Sequence, residues 1–108
     1  MVDMTTRVGD TLLPTPIMTA SGTAGHGGEL SRYVPLDSLG ALVVKSLSIM
    51  AWEGNPAPRV VQLPGAMMNS VGLQGPGVAG WIADELPELR ESGARIVASI
   101  WGLSLIHI

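Results

Sequence analysis

From Ala41 to Lys45 the chain reads Ala-Leu-Val-Val-Lys, an apolar run without polar alternation that ends in a cation. A strand with one wet face alternates apolar and polar residues. One that does not alternate must be covered on both faces, as in parallel sheets. Arg95-Ile96-Val97-Ala98-Ser99-Ile100 reads as another buried strand of the same kind. Parallel neighbours need a crossover between them, and Val78 to Arg90 has the spacing to supply a helix. Val78, Ile82, Leu86 and Leu89 fall on one face, with Asp84, Glu85 and Glu88 elsewhere. Pro87 is expected to kink or split that helix, and Gly93 to end it.

Upstream, Thr5 to Val8 and Thr11 to Leu13 flank Gly9-Asp10 and read as a short hairpin. After Pro14 and Pro16, Ile17 to Ala20 reads as a short strand entering a small-residue loop, Ser21 to Gly28. Glu29 to Val34 predicts a helical turn ended by Pro35, and Leu36 to Leu39 a second. A Gly/Pro-rich stretch runs from Ser46 to about Gly77, with Arg59 to Leu63 as one strand of a hairpin inside it. The order is that of βα units around a parallel sheet, so the class is α/β. Three such strands can neither close a barrel nor cover an open sheet. The chain therefore reads as unfinished, since a whole (β/α)8 barrel takes roughly 200 to 250 residues.

Composition removes several function classes. The chain has 108 residues, 46% hydrophobic and 14% charged, which suits one modest core. A net charge of −3 argues against a nucleic-acid surface. No apolar run approaches the roughly 18 to 20 residues of a membrane span, and Met1-Val2-Asp3-Met4 does not begin a basic-then-apolar leader. The default compartment is the cytoplasm. With no cysteine there is neither a disulfide nor a thiolate metal site, and no metal is expected.

Lys45 is the only lysine, and Asn55 and Asn69 are the only asparagines. An ammonium closing an apolar strand must either reach solvent along its own stem or meet a counter-charge. At the C-terminal end of a barrel strand it would face the mouth where active sites form. The loop Ala20 to Gly28 is small enough for a flat ligand to approach its backbone, or it is simply a flexible connection. It lacks the dinucleotide-binding spacing, and His26 reads as an ordinary loop histidine. Gly54-Asn55-Pro56-Ala57-Pro58-Arg59 and Asn69-Ser70-Val71-Gly72-Leu73-Gln74-Gly75-Pro76-Gly77 are loop chemistry when taken singly. An asparagine carboxamide offers both a donor and an acceptor, which matches the edge of an amide or imide ring.

Together these segments resemble the class 1 dihydroorotate dehydrogenases over about residues 1 to 102. The resemblance rests on Ala20-Ser21-Gly22, Val44-Lys45-Ser46, Gly54-Asn55-Pro56-x-Pro58-Arg59 and Asn69-Ser70-Val71-Gly72-Leu73, in that order and spacing. It implies the N-terminal portion of a (β/α)8 TIM barrel, preceded by a short β-hairpin and incomplete. The parent enzyme would oxidise dihydroorotate to orotate in pyrimidine (UMP) biosynthesis, with FMN at the mouth of the strands. Carried over by position, Ser21, Lys45, Ser46 and Ser99 would contact FMN. Lys45, Asn69, Ser70, Val71, Gly72 and Leu73 would hold the pyrimidine. The run from Asn69 to Gly77 is most similar to the type whose catalytic subunit pairs with an electron-transfer subunit carrying FAD and an iron–sulfur cluster. A homo- or hetero-oligomer is implied for the full-length protein, with no membrane or nucleic-acid partner.

The sequence departs from that pattern in three places. Ser99 stands where an asparagine is common, and Ala24 and His26 stand where aromatics are common. The family's cysteine base would lie beyond Ile108, so no catalytic base is expected in this chain. Residues 103 to 108, Leu-Ser-Leu-Ile-His-Ile, read as a non-family tail left by truncation or adaptor sequence. Two rivals are another FMN barrel acting on pyrimidines, of the dihydropyrimidine dehydrogenase kind, and a non-catalytic fragment. Residues 1 to 108 alone are expected to be inactive, to hold no stable flavin and to be poorly soluble, because open strand edges expose apolar surface.

Overall fold

The computed structural model describes residues 2–107. In chain order its elements are β1 (Thr6–Val8), β2 (Thr11–Leu13), β3 (Leu42–Val43), β4 (Val60–Leu63), β5 (Ala66–Asn69), α1 (Gly77–Asp84), α2 (Leu86–Glu91) and β6 (Ile96–Val97). Short 3-10 turns at Leu30–Arg32 and Leu36–Ser38 fill the connection before β3, on either side of Pro35 as the sequence predicts. β1 and β2 form the expected antiparallel hairpin, with Thr6 opposite Leu13 and Val8 opposite Thr11. Its two-residue turn takes Gly9 to a φ of 57°, which a residue without a Cβ adopts freely.

The parallel layer is built from three chain segments in sequence order. Met18 bridges Ala41, β3 pairs with β6, and Leu47 bridges Ile100, all in parallel. Backbone N–H groups of Leu42, Val44 and Leu47 donate to the carbonyls of Arg95, Val97 and Ser99 at 2.8, 3.1 and 2.8 Å. Gly40 brings the first segment in close: its N–H donates to the Ile17 carbonyl at 2.8 Å. A Cβ at that position would stand 2.1 Å from the Thr15 carbonyl oxygen. The predicted strand from Ile17 to Ala20 is thus reduced to a single bridge, because the turn forced by two prolines uses up the residues before Met18.

The middle segment is covered as its apolar run requires, with Ala41, Leu42 and Val44 buried. The outer one is not. Val97 is 41% exposed and Ile100 57%, so the reading of Arg95 to Ile100 as a buried strand is corrected. An unalternating pattern reports a strand suited to cover on both faces. It does not supply the cover, and among the described residues nothing pairs with the outer edge of β6.

The helix divides at Glu85, and Pro87 falls in the first turn of α2, where a missing N–H costs nothing. Its inward face differs from the predicted one. Trp81 is buried and Ile82 is 51% exposed. Positions three and four residues after Val78 are nearly equivalent by spacing, and the indole buries more apolar area than the isoleucine. Trp81 and Leu89 pack on Leu36, Leu42, Val44 and Leu47, with Val78, Leu86 and Ile96 at the margin. An Ile82→Ser variant is accordingly expected to unfold within about 0.5 kcal/mol of the parent in a urea titration, whereas a buried Ile82 would cost several times that. Among the described residues no helix is long and apolar enough to cross a membrane.

Candidate functional site

The three parallel segments each carry a serine near their C-terminal ends, Ser46 and Ser99 just before the Leu47–Ile100 bridge, and the hydroxyls form a linked row. Ser21 Oγ lies 3.0 Å from Ser46 Oγ, and Ser46 Oγ lies 2.7 Å from Ser99 Oγ. The Ser21 hydroxyl also donates to the Val44 carbonyl at 3.1 Å. Behind them, Thr19 clamps the first segment to the second. Its Oγ1 accepts the Val43 N–H at 2.8 Å and donates to the Val43 carbonyl at 3.2 Å. Sequence reading passed over Thr19; a hydroxyl at an otherwise apolar strand position is the signal that marks it.

Lys45 is half-buried, and its backbone N–H donates to the Gly25 carbonyl at 2.8 Å, tying the strand end to the small-residue loop. Among the described residues no carboxylate pairs with its ammonium, although a groove of about 1130 Å³ opens beside it. Lys45, His26, Trp52, Glu53, Gln74 and Gly75 line that groove, with Glu29, Glu85 and Glu88 on its acidic side. His26 is half-buried, and its Nδ1 is buried without a partner. Among the described residues no cluster of three metal-ligating side chains occurs.

The two asparagine loops, distant in sequence, are fastened to each other. Asn55 Nδ2 donates to Ser70 O at 2.8 Å and to Ser70 Oγ at 2.9 Å, while the Asn55 N–H donates to Val71 O at 3.0 Å. The Arg59 guanidinium donates to Asn55 O at 3.0 Å and also to the Gln74 side-chain carbonyl. Trp52 and Gly75 exchange backbone bonds, each at 2.9 Å. Close approach explains the glycines: a Cβ on Gly72 would stand 2.9 Å from the Asn55 nitrogen, and Gly72 has a φ of 77°. Leu73 follows at a φ of 61°, a strained value for a leucine that the fastened loop holds in place.

Arg59 to Leu63 does belong to a hairpin, β4 paired with β5, and Asn69 ends β5 opposite Val60. Asn69 Oδ1 accepts the Val71 N–H at 3.4 Å, and both its neighbours in the hairpin are exposed. The structure therefore brings together Ser21, Ser46 and Ser99 as one group, and Asn55, Ser70 and Val71 as another. Lys45 shares its groove with Trp52, Glu53 and Gln74 of the fastened loops, whereas Asn69, Val71, Gly72 and Leu73 do not line it. Trp52 also meets Trp101 edge to face, with centroids 5.5 Å apart, joining the loop platform to the end of the outermost strand segment.

The profile of the dihydroorotate dehydrogenase family matches residues 3–106. The chain belongs to that family. Catalytic subunits named dihydroorotate dehydrogenase B (NAD(+)) are among its relatives. That of Alkaliphilus metalliredigens is 44% identical over 104 residues, which cover 96% of this chain and 34% of that one. That of Thermoanaerobacter pseudethanolicus is 46% identical over 101 residues, covering 94% and 33%. This dihydroorotate dehydrogenase family member thus spans about a third of the length of the curated relatives it matches. A crystal structure of DHODH from Eimeria tenella, in complex with ferulenol, aligns with a TM-score of 0.57 at 18% identity. The alignment covers 91% of this chain and 28% of that one, and shows a shared fold.

Proposed function

We propose that this chain is the N-terminal third of a class 1 dihydroorotate dehydrogenase catalytic subunit, residues 1 to 102 forming the first strands of a (β/α)8 barrel. The whole enzyme oxidises dihydroorotate to orotate in pyrimidine biosynthesis. The observation that carries this reading is the linking of three serine hydroxyls across the parallel strand segments, in a chain of this family whose only lysine, Lys45, lines a groove beside the middle segment.

The residues present fit FMN. Ser21, Ser46 and Ser99 offer hydroxyl oxygens on an open surface of small residues, and at Gly22 even an added Cβ would meet nothing within 4 Å. Lys45 adds a half-buried positive charge that pairs with no carboxylate among the described residues. FMN, when bound, supplies the two-electron acceptor. The chain's own contribution is positional and electrostatic. The Lys45 ammonium attracts the substrate carboxylate and favours electron density arriving nearby. The carboxamide of Asn69 and the backbone of Gly72 and Leu73 would meet the donor and acceptor edges of the pyrimidine, with Ser70 and Val71, whose backbone groups fasten the two loops, holding that stretch in place. The cysteine base belongs to the remainder of the enzyme, since these 108 residues contain no cysteine. The relatives' designation as catalytic subunits supports a partner subunit; the FAD and iron–sulfur electron-transfer type, and a cytoplasmic oligomer, are what the family resemblance adds.

The test is anaerobic mixing of the full-length protein with dihydroorotate. Bleaching of a bound flavin by dihydroorotate and not by dihydrouracil is expected; the opposite preference would transfer the reading to the dihydropyrimidine dehydrogenase kind. In the same protein Asn69→Ala is expected to raise KM for dihydroorotate about tenfold, with a smaller change in kcat, as loss of one or two hydrogen bonds predicts. An unchanged KM in steady-state assays would remove Asn69 from the substrate site.

A further inference from the structure

The serine cluster has a direction, which follows from a buried carbonyl. Val44 is fully buried at 0% exposure, and among the described residues the Ser21 hydroxyl is the one donor that reaches its carbonyl oxygen. A buried carbonyl without a donor is costly, so the Ser21 proton is committed to Val44. Ser21 can then only accept from Ser46, across 3.0 Å. A hydroxyl has a single proton to give, so Ser46 in turn accepts from Ser99, across 2.7 Å. The order is Ser99 to Ser46 to Ser21 to the Val44 carbonyl, and every hydroxyl proton in it is used.

What is left over on the three oxygens is lone pairs. We propose that Ser99 is the positioning residue that completes this ladder, donating to Ser46 along the direction the Val44 carbonyl sets, so that the strand ends offer a planar heterocycle hydrogen-bond acceptors alone and take a ring N–H. The proposal rests on the flavin reading above for the identity of the heterocycle, and on the hydroxyl geometry for the direction. It also gives a physical sense to the serine at this position. An asparagine there can donate its own N–H to Ser46 and still present a carbonyl, so the two residue types preserve one polarity, whereas alanine removes both the terminal donor and the terminal acceptor.

Two measurements on the full-length enzyme test it. Neutron diffraction from deuterium-exchanged crystals is expected to place the Ser99 deuteron toward Ser46 and the Ser46 deuteron toward Ser21; the reverse order overturns the ladder. Titration of FMN is expected to show dissociation constants raised about tenfold in Ser99→Ala and changed less than about threefold in Ser99→Asn, the scale of one hydrogen bond. Equal loss in both variants, or no loss in Ser99→Ala, overturns the positioning role. A parent enzyme that holds no FMN counts against the cofactor reading, and the deuteron positions then decide the ladder by themselves.

Discussion

Lys45→Ala in the full-length enzyme is expected to slow reduction of the bound flavin by dihydroorotate by about a hundred- to a thousandfold, the effect of deleting one preorganised charge at a reacting centre. The reason lies in where the chain spends its only lysine. The ammonium closes the most buried strand segment, is itself half-buried, and has no carboxylate partner among the described residues. Holding an unpaired cation in such a position is unfavourable for folding, and in the proposed site an anionic substrate beside an electron acceptor would offset that cost. Stopped-flow bleaching under saturating dihydroorotate isolates the step from binding. A Lys45→Arg variant retains the charge but changes its shape, and is expected to recover part of the rate. A rate in Lys45→Ala within a factor of about three of the parent, well short of a lost transition-state contact, would show that the amine faces solvent and takes no part.

Much of this arrangement was legible in the sequence, for reasons that differ by residue. Ala41 to Val44 announced a covered strand because an apolar run of that length has nowhere else to go, and the structure buries Ala41, Leu42 and Val44. Pro87 announced the helix break because it cannot donate the bond a continuous helix needs, and the helices divide at Glu85. Ile82 was misjudged because helical spacing alone does not choose between positions 81 and 82; side-chain size does. Ile100 was misjudged because its environment is set by what lies beyond an edge, which no local pattern encodes. The linked serines were named through the family resemblance alone, and their contact is long-range, joining positions up to 53 residues apart. Likewise the union of the two asparagine loops depends on Asn55 reaching Ser70, a pairing that neither loop's own turn chemistry contains.

That union is the basis of the second large effect. Gly54→Ala is expected to destabilise the full-length enzyme by about 3 kcal/mol, from a strained backbone plus a lost hydrogen bond. Gly54 has a φ of 73°, and a Cβ there would stand 2.3 Å from the Val71 carbonyl oxygen. That oxygen is the acceptor for the Asn55 N–H at 3.0 Å, so it cannot retreat without breaking the fastening between the loops. Gly65 supplies the control. It lies in the β4–β5 turn at a φ of 68°, with nothing within 4 Å of where a Cβ would be. Gly65→Ala therefore meets the backbone strain without the collision, and is expected to cost only about 1 kcal/mol. Because Gln74 and Trp52 share the groove with Lys45, the Gly54 variant is also expected to raise KM for dihydroorotate while the Gly65 variant leaves it near the parental value. Chemical denaturation of the two variants side by side measures the difference. Equal destabilisation would mean that the loops separate at little cost, and that Asn55 and Val71 do not hold the proposed substrate platform in shape.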